Sequence, residues 1–114
     1  MRLRFYIGGF TGPSYDVVSD GPTIVYTSRD DPAEHRITPS AAQRAAFGRA
    51  IEKAGVWRWA PDYCNPGVCD GTQWSIEIAD GKRELASSGS NAEPEGFASF
   101  LRALRRLLGG LPIG

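Results

Sequence analysis

Apolar and polar residues alternate with a period of two in two segments of the chain, which is typical of strands that bury one face. In the first segment the apolar positions are Leu3, Phe5 and Ile7, and in the second they are Trp74, Ile76 and Ile78. The polar positions between them predict that each strand has one solvent-facing side.

Turn residues predict two hairpins. Residues 15–18 and 23–27 carry β-branched and aromatic side chains on either side of Ser19-Asp20-Gly21-Pro22, where glycine takes a positive φ and proline fixes its own. Asp80-Gly81 joins the second alternating segment to a return strand over residues 82–88.

Two amphipathic helices are predicted, each opened near a proline. The first begins at Thr38-Pro39, where the threonine hydroxyl caps an orphan amide, and it ends at Gly55. The second follows Pro94. Its apolar stripe consists of Phe97, Phe100, Leu101, Leu104, Leu107 and Leu108.

The remaining segments are predicted to be extended or irregular. The charge-rich residues 28–36 are expected to form a solvated loop, and residues 61–70 an irregular one. In residues 56–59, Trp57 and Trp59 share one face opposite Arg58 if the segment is extended. Residues 87–91 are expected to form a polar connection before the last helix.

The order hairpin, helix, hairpin, helix predicts an α+β fold in a single domain over residues 1–114. Two apolar helix stripes need one shared apolar surface, and strands with one polar side offer their other side for it. We therefore expect an antiparallel sheet of about four to six strands with both helices on one face.

Composition limits which classes of partner and which cellular compartment are expected. The chain has 13 basic and 13 acidic residues, so no net charge attracts nucleic acid or an anionic membrane. The N-terminus lacks the apolar run of a signal peptide, no stretch reaches the roughly 20 apolar residues of a membrane span, and two cysteines make no disulfide framework. We therefore expect a cytoplasmic protein that has no cofactor. We expect it to bind neither nucleic acid nor a membrane.

The chain resembles a group of small uncharacterised bacterial proteins. The resemblance rests on Asp70-Gly71-Thr72-Gln73-Trp74, on Ser88-Gly89-Ser90-Asn91-Ala92, and on Pro94 with Phe97 and Phe100. It implies a Trp-bearing strand, a hairpin, a Ser-Gly-x-Asn loop and a proline-opened helix, and it supplies no activity or catalytic residue. Glu93 stands where the pattern of the group has an aromatic residue.

The aromatic residues of the sequence are concentrated at Trp57, Trp59, Tyr63 and Trp74. Flat rings around a cleft stack on a base, a sugar or a peptide, whereas rings on short strands beside helices are usually core. We favour the core and keep these four residues as candidate ligand contacts.

Ser88, Ser90 and Asn91 precede the last helix, where hydroxyls and backbone amides could hold an anion. Glu93 and Glu95 oppose that interpretation, because carboxylates beside the first turn already satisfy the helix dipole. A structural turn is favoured, in which Asn91 bonds to the backbone.

Cys64 and Cys69 allow three states: two thiols, a loop disulfide, or a metal site completed by Asp62, Asp70 or an outside group. Two thiols are favoured, and no metal is predicted. His35 lies in a charged segment and is interpreted as a surface histidine rather than a catalytic base.

The last helix carries three basic residues, Arg102, Arg105 and Arg106. They are interpreted as solvated cations near a helix C-terminus rather than as a contact with an acidic partner or a phosphate backbone. Because the strong residues explain folding, the sequence predicts no catalytic residues and a noncatalytic binding or protein-interaction domain of a bacterial cytoplasm. Its contact surface is expected on the exposed sheet face or around residues 57–70. The alternative is a small enzyme that acts on a polar or anionic substrate at residues 88–91, with Asp62, Asp70 or Cys64 as the reactive group.

Overall fold

The computed structural model describes residues 1–9, 12–65 and 71–114. Within them lie seven strands and two α-helices. The strands are β1 (Arg2–Gly9), β2 (Tyr15–Asp20), β3 (Ile24–Ser28), β4 (Asp31–Ile37), β5 (Asp62–Cys64), β6 (Thr72–Asp80) and β7 (Arg83–Ser90). The helices are α1 (Ala41–Ala54) and α2 (Phe97–Leu107).

The seven strands form one sheet in the order β4-β3-β2-β1-β6-β7-β5. All neighbours pair antiparallel except β5, which runs parallel to β7 and pairs Tyr63 with Gly89. The predicted α+β class is confirmed. The prediction of an antiparallel sheet of about four to six strands is wrong in strand number and in the direction of one strand, because it left out both edge strands, β4 and β5.

Strand β4 occupies most of the segment that the sequence predicted to be a solvated loop. It pairs with β3, and Tyr26 lies opposite His35. Its side chains are mostly exposed, and they include Pro32 and several charges. Such residues are typical of an edge strand that is protected from further pairing, which is why no apolar alternation marked it.

Helix α1 is capped two residues later than predicted. Ser40, not Thr38, is the N-cap: its hydroxyl accepts from the Gln43 amide at 3.1 Å, and the Gln43 side chain accepts from the Ser40 amide at 2.7 Å. This reciprocal pair is a capping box, which satisfies two amides instead of one. Thr38 shares a hydrogen bond with the Thr23 hydroxyl instead. The predicted ending at Gly55 is confirmed by its left-handed φ of 78°.

Both helices pack against the same face of the sheet, as predicted. The Phe5 ring of β1 lies 5.0 Å from that of Phe100 on α2, which in turn lies 6.3 Å from Phe47 on α1. The overall extents of 42 × 34 × 19 Å fit one layer of helices on one sheet. No helix in the described ranges is long and apolar enough to cross a membrane.

Candidate binding surface

The predicted aromatic platform is mostly core. Trp59 and Trp74 are 7% and 2% exposed, and their rings meet edge to face at a centroid distance of 5.7 Å. Tyr63 is half-buried, with its ring 6.0 Å from that of Trp74. Rings packed in this way stabilise the interior and leave no flat surface for a ligand.

The buried indoles also fix the segment that leads into α2. Trp59 Nε1 donates to the Glu95 carbonyl at 3.2 Å, and Trp74 Nε1 donates to the Ala92 carbonyl at 2.9 Å. A buried indole N–H needs such a partner. Trp74 of β6 and Trp59, which follows a short 3₁₀ helix, therefore hold the segment that precedes α2.

Residues 56–59 are not extended. Val56–Arg58 form a short 3₁₀ helix that follows the left-handed Gly55, so Trp57 and Trp59 do not share a strand face. Trp57 is half-buried, and the Arg83 guanidinium lies 4.3 Å from its ring centroid while also pairing with Glu52. Trp57 Nε1 is buried and has no hydrogen-bond partner among the described residues.

The serine-rich segment does not form a loop at a helix N-terminus. Ser88 and Ser90 belong to β7, and four residues separate Asn91 from the Gly96 N-cap of α2. Asn91 takes a left-handed φ of 59°, and its backbone N–H donates to the Thr72 carbonyl at 2.9 Å. The expected structural turn fits this geometry, whereas an anion site on the helix dipole does not.

The other candidates for chemistry do not converge. Cys64 and Asp62 are exposed on edge strand β5. Cys69 and Asp70 lie outside the described residues, and so does the predicted state of the cysteine pair. His35 Nε2 lies 3.2 Å from Asp31 Oδ2 on edge strand β4. The backbone N–H of Ala33, which donates to this carboxyl, is the main cause that lowers the pKa of Asp31, and the contact with His35 lowers it further. Within the described ranges, no three His, Cys, Asp or Glu side chains come together to hold a metal.

The basic residues of α2 stand in solvent. Arg102, Arg105 and Arg106 are all exposed, and Arg102 donates to the Ser99 hydroxyl at 3.0 Å. This arrangement is that of a solvated helix face.

No helix or strand of the described residues covers the face of the sheet opposite α1 and α2, and we call this the open face. Side chains alternate along a strand, so Arg4 and Tyr6 of β1 stand on this face while Phe5 points into the core. The sheet register places one row of residues across four strands here. In the order β2, β1, β6, β7 the row is Val18, Arg4, Glu77 and Ala86.

A second row lies beside the first, one pleat further along β1. In the same strand order it consists of Asp16, Tyr6, Ser75 and Ser88. The Tyr6 side chain extends along its own strand over Gly8. A Cβ built on Gly8 would lie only 2.7 Å from the tyrosine hydroxyl oxygen. Glycine at this position therefore makes room for the phenol on the open face.

Two adjoining hollows mark the centre of the open face. The smaller, of about 340 Å³, is lined by Arg4, Tyr6, Asp16, Ser75 and Glu77. The larger, of about 640 Å³, shares Arg4 and Glu77 with it and extends towards Arg2, Val18, Glu84 and Ala86. Both Arg4 and Glu77 are exposed, and no ion pair joins them in the described part of the chain.

Charge is divided across the open face. Arg2 and Arg4 lie on β1, whereas Glu77 and Glu84 lie on β6 and β7. Val18, at 38% exposed, is one of two exposed large hydrophobic residues in the described chain. With Asp16 on β2, the open face thus combines a cationic strip on β1, carboxylates on both sides of it, and apolar contact points.

A further cavity of about 330 Å³ lies at one end of the helical layer. It is lined mainly by apolar residues such as Leu3, Phe47 and Leu107. Its one charged lining residue, Arg44, donates to the Pro39 carbonyl at 3.0 Å. This cavity continues the core and offers less polar recognition than the open face.

The sequence predicted an exposed sheet face as one possible contact surface, yet it did not identify Arg4, Tyr6, Asp16, Ser75 and Glu77 as a group. The polar positions of the alternating strands carried the signal, but grouping them needs the register between strands. Comparison with protein-family models gives no match, and comparison with curated proteins gives none.

Proposed function

We propose that this protein is a noncatalytic protein-interaction domain of a bacterial cytoplasm, and that it binds its partner with the open face. The observation that carries the proposal is the side of the seven-stranded sheet opposite the helices, over which none of the described helices or strands packs. An antiparallel sheet tolerates solvent on one side, so this side is free to bind without any change in the fold.

The chemistry of the open face favours a protein partner. Cations and anions stand side by side with hydroxyls and with Val18, which is the mixture found at protein–protein interfaces. A phosphate backbone needs a predominantly positive surface, whereas here three carboxylates, those of Asp16, Glu77 and Glu84, offset Arg2 and Arg4. Protein surfaces of mixed charge complement such a pattern.

The positions of the predicted chemical groups support a noncatalytic role. The indoles of Trp59 and Trp74 are bonded to carbonyls in the core, and Ser88 and Ser90 lie on strand β7. The cytoplasmic and bacterial parts of the proposal rest on the few cysteines and on the resemblance to small bacterial proteins described above.

Site-specific photo-crosslinking in cells tests the proposal. A benzophenone side chain at Ser75, which is exposed in the middle of the open face, is expected to give a discrete protein adduct that mass spectrometry identifies. The matched control places the same group at Ala45, which is exposed on α1. Adduct formation at Ser75 is expected to disappear when Glu77→Arg is added.

Equal adducts at both positions, or no adduct at Ser75, contradict the proposal. An adduct that persists in the Glu77→Arg variant contradicts it as well, because a partner seated on the open face must contact that carboxylate.

A further inference from the structure

We infer that the partner on the open face is a second copy of this chain, related by a two-fold axis that runs parallel to the strands between β1 and β6. This inference rests on the proposed function, since it takes the open face as the binding surface. It would produce a dimer with two sheets face to face in the middle and the helices outside.

The row Val18, Arg4, Glu77, Ala86 is complementary to itself. It reads apolar, cation, anion, apolar across β2, β1, β6 and β7. The two-fold axis reverses the order of the row in the facing copy. Arg4 of each copy then lies opposite Glu77 of the other, and Val18 lies opposite Ala86.

The neighbouring row follows the same rule. Tyr6 comes to lie opposite Ser75, and Asp16 comes to lie opposite Ser88. Each of these pairs joins a hydroxyl donor to an oxygen acceptor. In the third row the same operation places Arg2 opposite Ala79 of the other copy, and Glu84 of that copy lies one strand away, opposite the Asp20 position of β2.

The size of the open face suits a stable dimer. Strand spacings of roughly 4.8 Å and rises of roughly 3.4 Å per residue give a surface of about 30 by 25 Å, on the order of 750 Å². Standard interfaces bury about 800 Å² per partner. Charge complementarity selects the second copy, because a two-fold pairing satisfies Arg4 and Glu77 twice.

Reversing the two central charges tests the inference. Arg4→Glu alone places two carboxylates opposite each other at two symmetric positions, and Glu77→Arg alone does the same with two guanidiniums. Each is expected to weaken the dimer by about tenfold or more, as measured by sedimentation equilibrium. Arg49→Glu, an equal change of charge on the exposed side of α1, is expected to leave the dimer unchanged.

Recombination makes the test specific. In an equimolar mixture of the Arg4→Glu and Glu77→Arg chains, every facing pair becomes opposite in charge, so a heterodimer is expected. The double variant Arg4→Glu/Glu77→Arg is expected to dimerise again by itself. Circular dichroism checks that each variant is folded, since Arg4 and Glu77 are also neighbours within one sheet.

The inference is overturned by a wild-type protein that stays monomeric at high micromolar concentration, or by a dimer that neither charge reversal weakens. A monomer whose Ser75 crosslinks to a different protein in cells overturns this inference and leaves the proposed function standing. A monomer without any Ser75 adduct overturns both.

Discussion

Gly89 is packed so closely that a single added methyl group is expected to destabilise the fold. It lies on β7 opposite Trp74, and a Cβ there would lie 2.3 Å from Trp74 Nε1 and 2.5 Å from the Ala92 carbonyl oxygen. Those two atoms form the hydrogen bond that fixes the segment before α2. In Gly89→Ala, the indole, the carbonyl or both must move.

The magnitude follows from the two groups that are displaced. Overpacking a core costs about 1–3 kcal/mol, and a buried N–H that loses its acceptor costs about 1–3 kcal/mol more. The lower entropy of the unfolded alanine chain offsets about 0.4–1 kcal/mol. We therefore expect Gly89→Ala to lower the free energy of unfolding by about 1–5 kcal/mol and Tm by roughly 4–20 °C.

Urea unfolding followed by far-UV circular dichroism measures this change, and Gly48→Ala is the matched control. A Cβ at Gly48 meets no heavy atom within 4 Å, so alanine at this position in α1 is expected to stabilise the protein by about 0.5–1 kcal/mol. A Gly89→Ala variant as stable as the wild type would refute the packing described for Trp74.

Three further predictions concern local interactions. Ser40→Ala is expected to lower the free energy of unfolding by about 1 kcal/mol in a urea titration, whereas Thr38→Ala stays near the wild type; the reverse order would contradict the assigned cap. The pKa of Asp31 is lowered below 3.8, so the stability it contributes is present above that pH and is lost as the pH falls through its folded value. Asp31→Asn is therefore expected to lose less stability than the wild type between about pH 5 and about pH 3 in thermal melts, and an unchanged pH profile would count against the contacts of this carboxylate with the Ala33 amide and with His35. Burial raises the pKa of Tyr26 above 10.0, so the stability from its protonated phenol is present below that pH and is lost as the pH rises. Tyr26→Phe is expected to lose less stability than the wild type as the pH rises above about 10 in the same melts. An equally steep loss of stability in the variant would show that ionisation of the Tyr26 phenol does not cause it.

The central part of the fold could be predicted because its pattern is local. Phe5 and Ile76 alternate with polar neighbours, and both lie in the buried face of the sheet. The stripe containing Phe100 and Leu104 marked α2, which the structure confirms. In each case burial on one side imposes a period that can be read within a short window of residues.

The remaining features depend on contacts between distant residues. Strand β5 has three residues, and its position is set by bonds to β7, such as the Ser88 amide to the Pro61 carbonyl at 3.1 Å. The central residues of the open face come from β1, β2 and β6, so only the register brings Arg4 and Asp16 to the same hollow. Short-range patterns contain no information on such pairing.

The charged outer border of the sheet has a consequence for assembly. At β4, Pro32 has no amide hydrogen to offer, and Arg36 and Glu34 pair within their own strand. Such a border resists the addition of further strands, a mode of growth that has no natural end and leads to fibres. Association is thereby directed away from endless polymers and towards contacts that close on themselves.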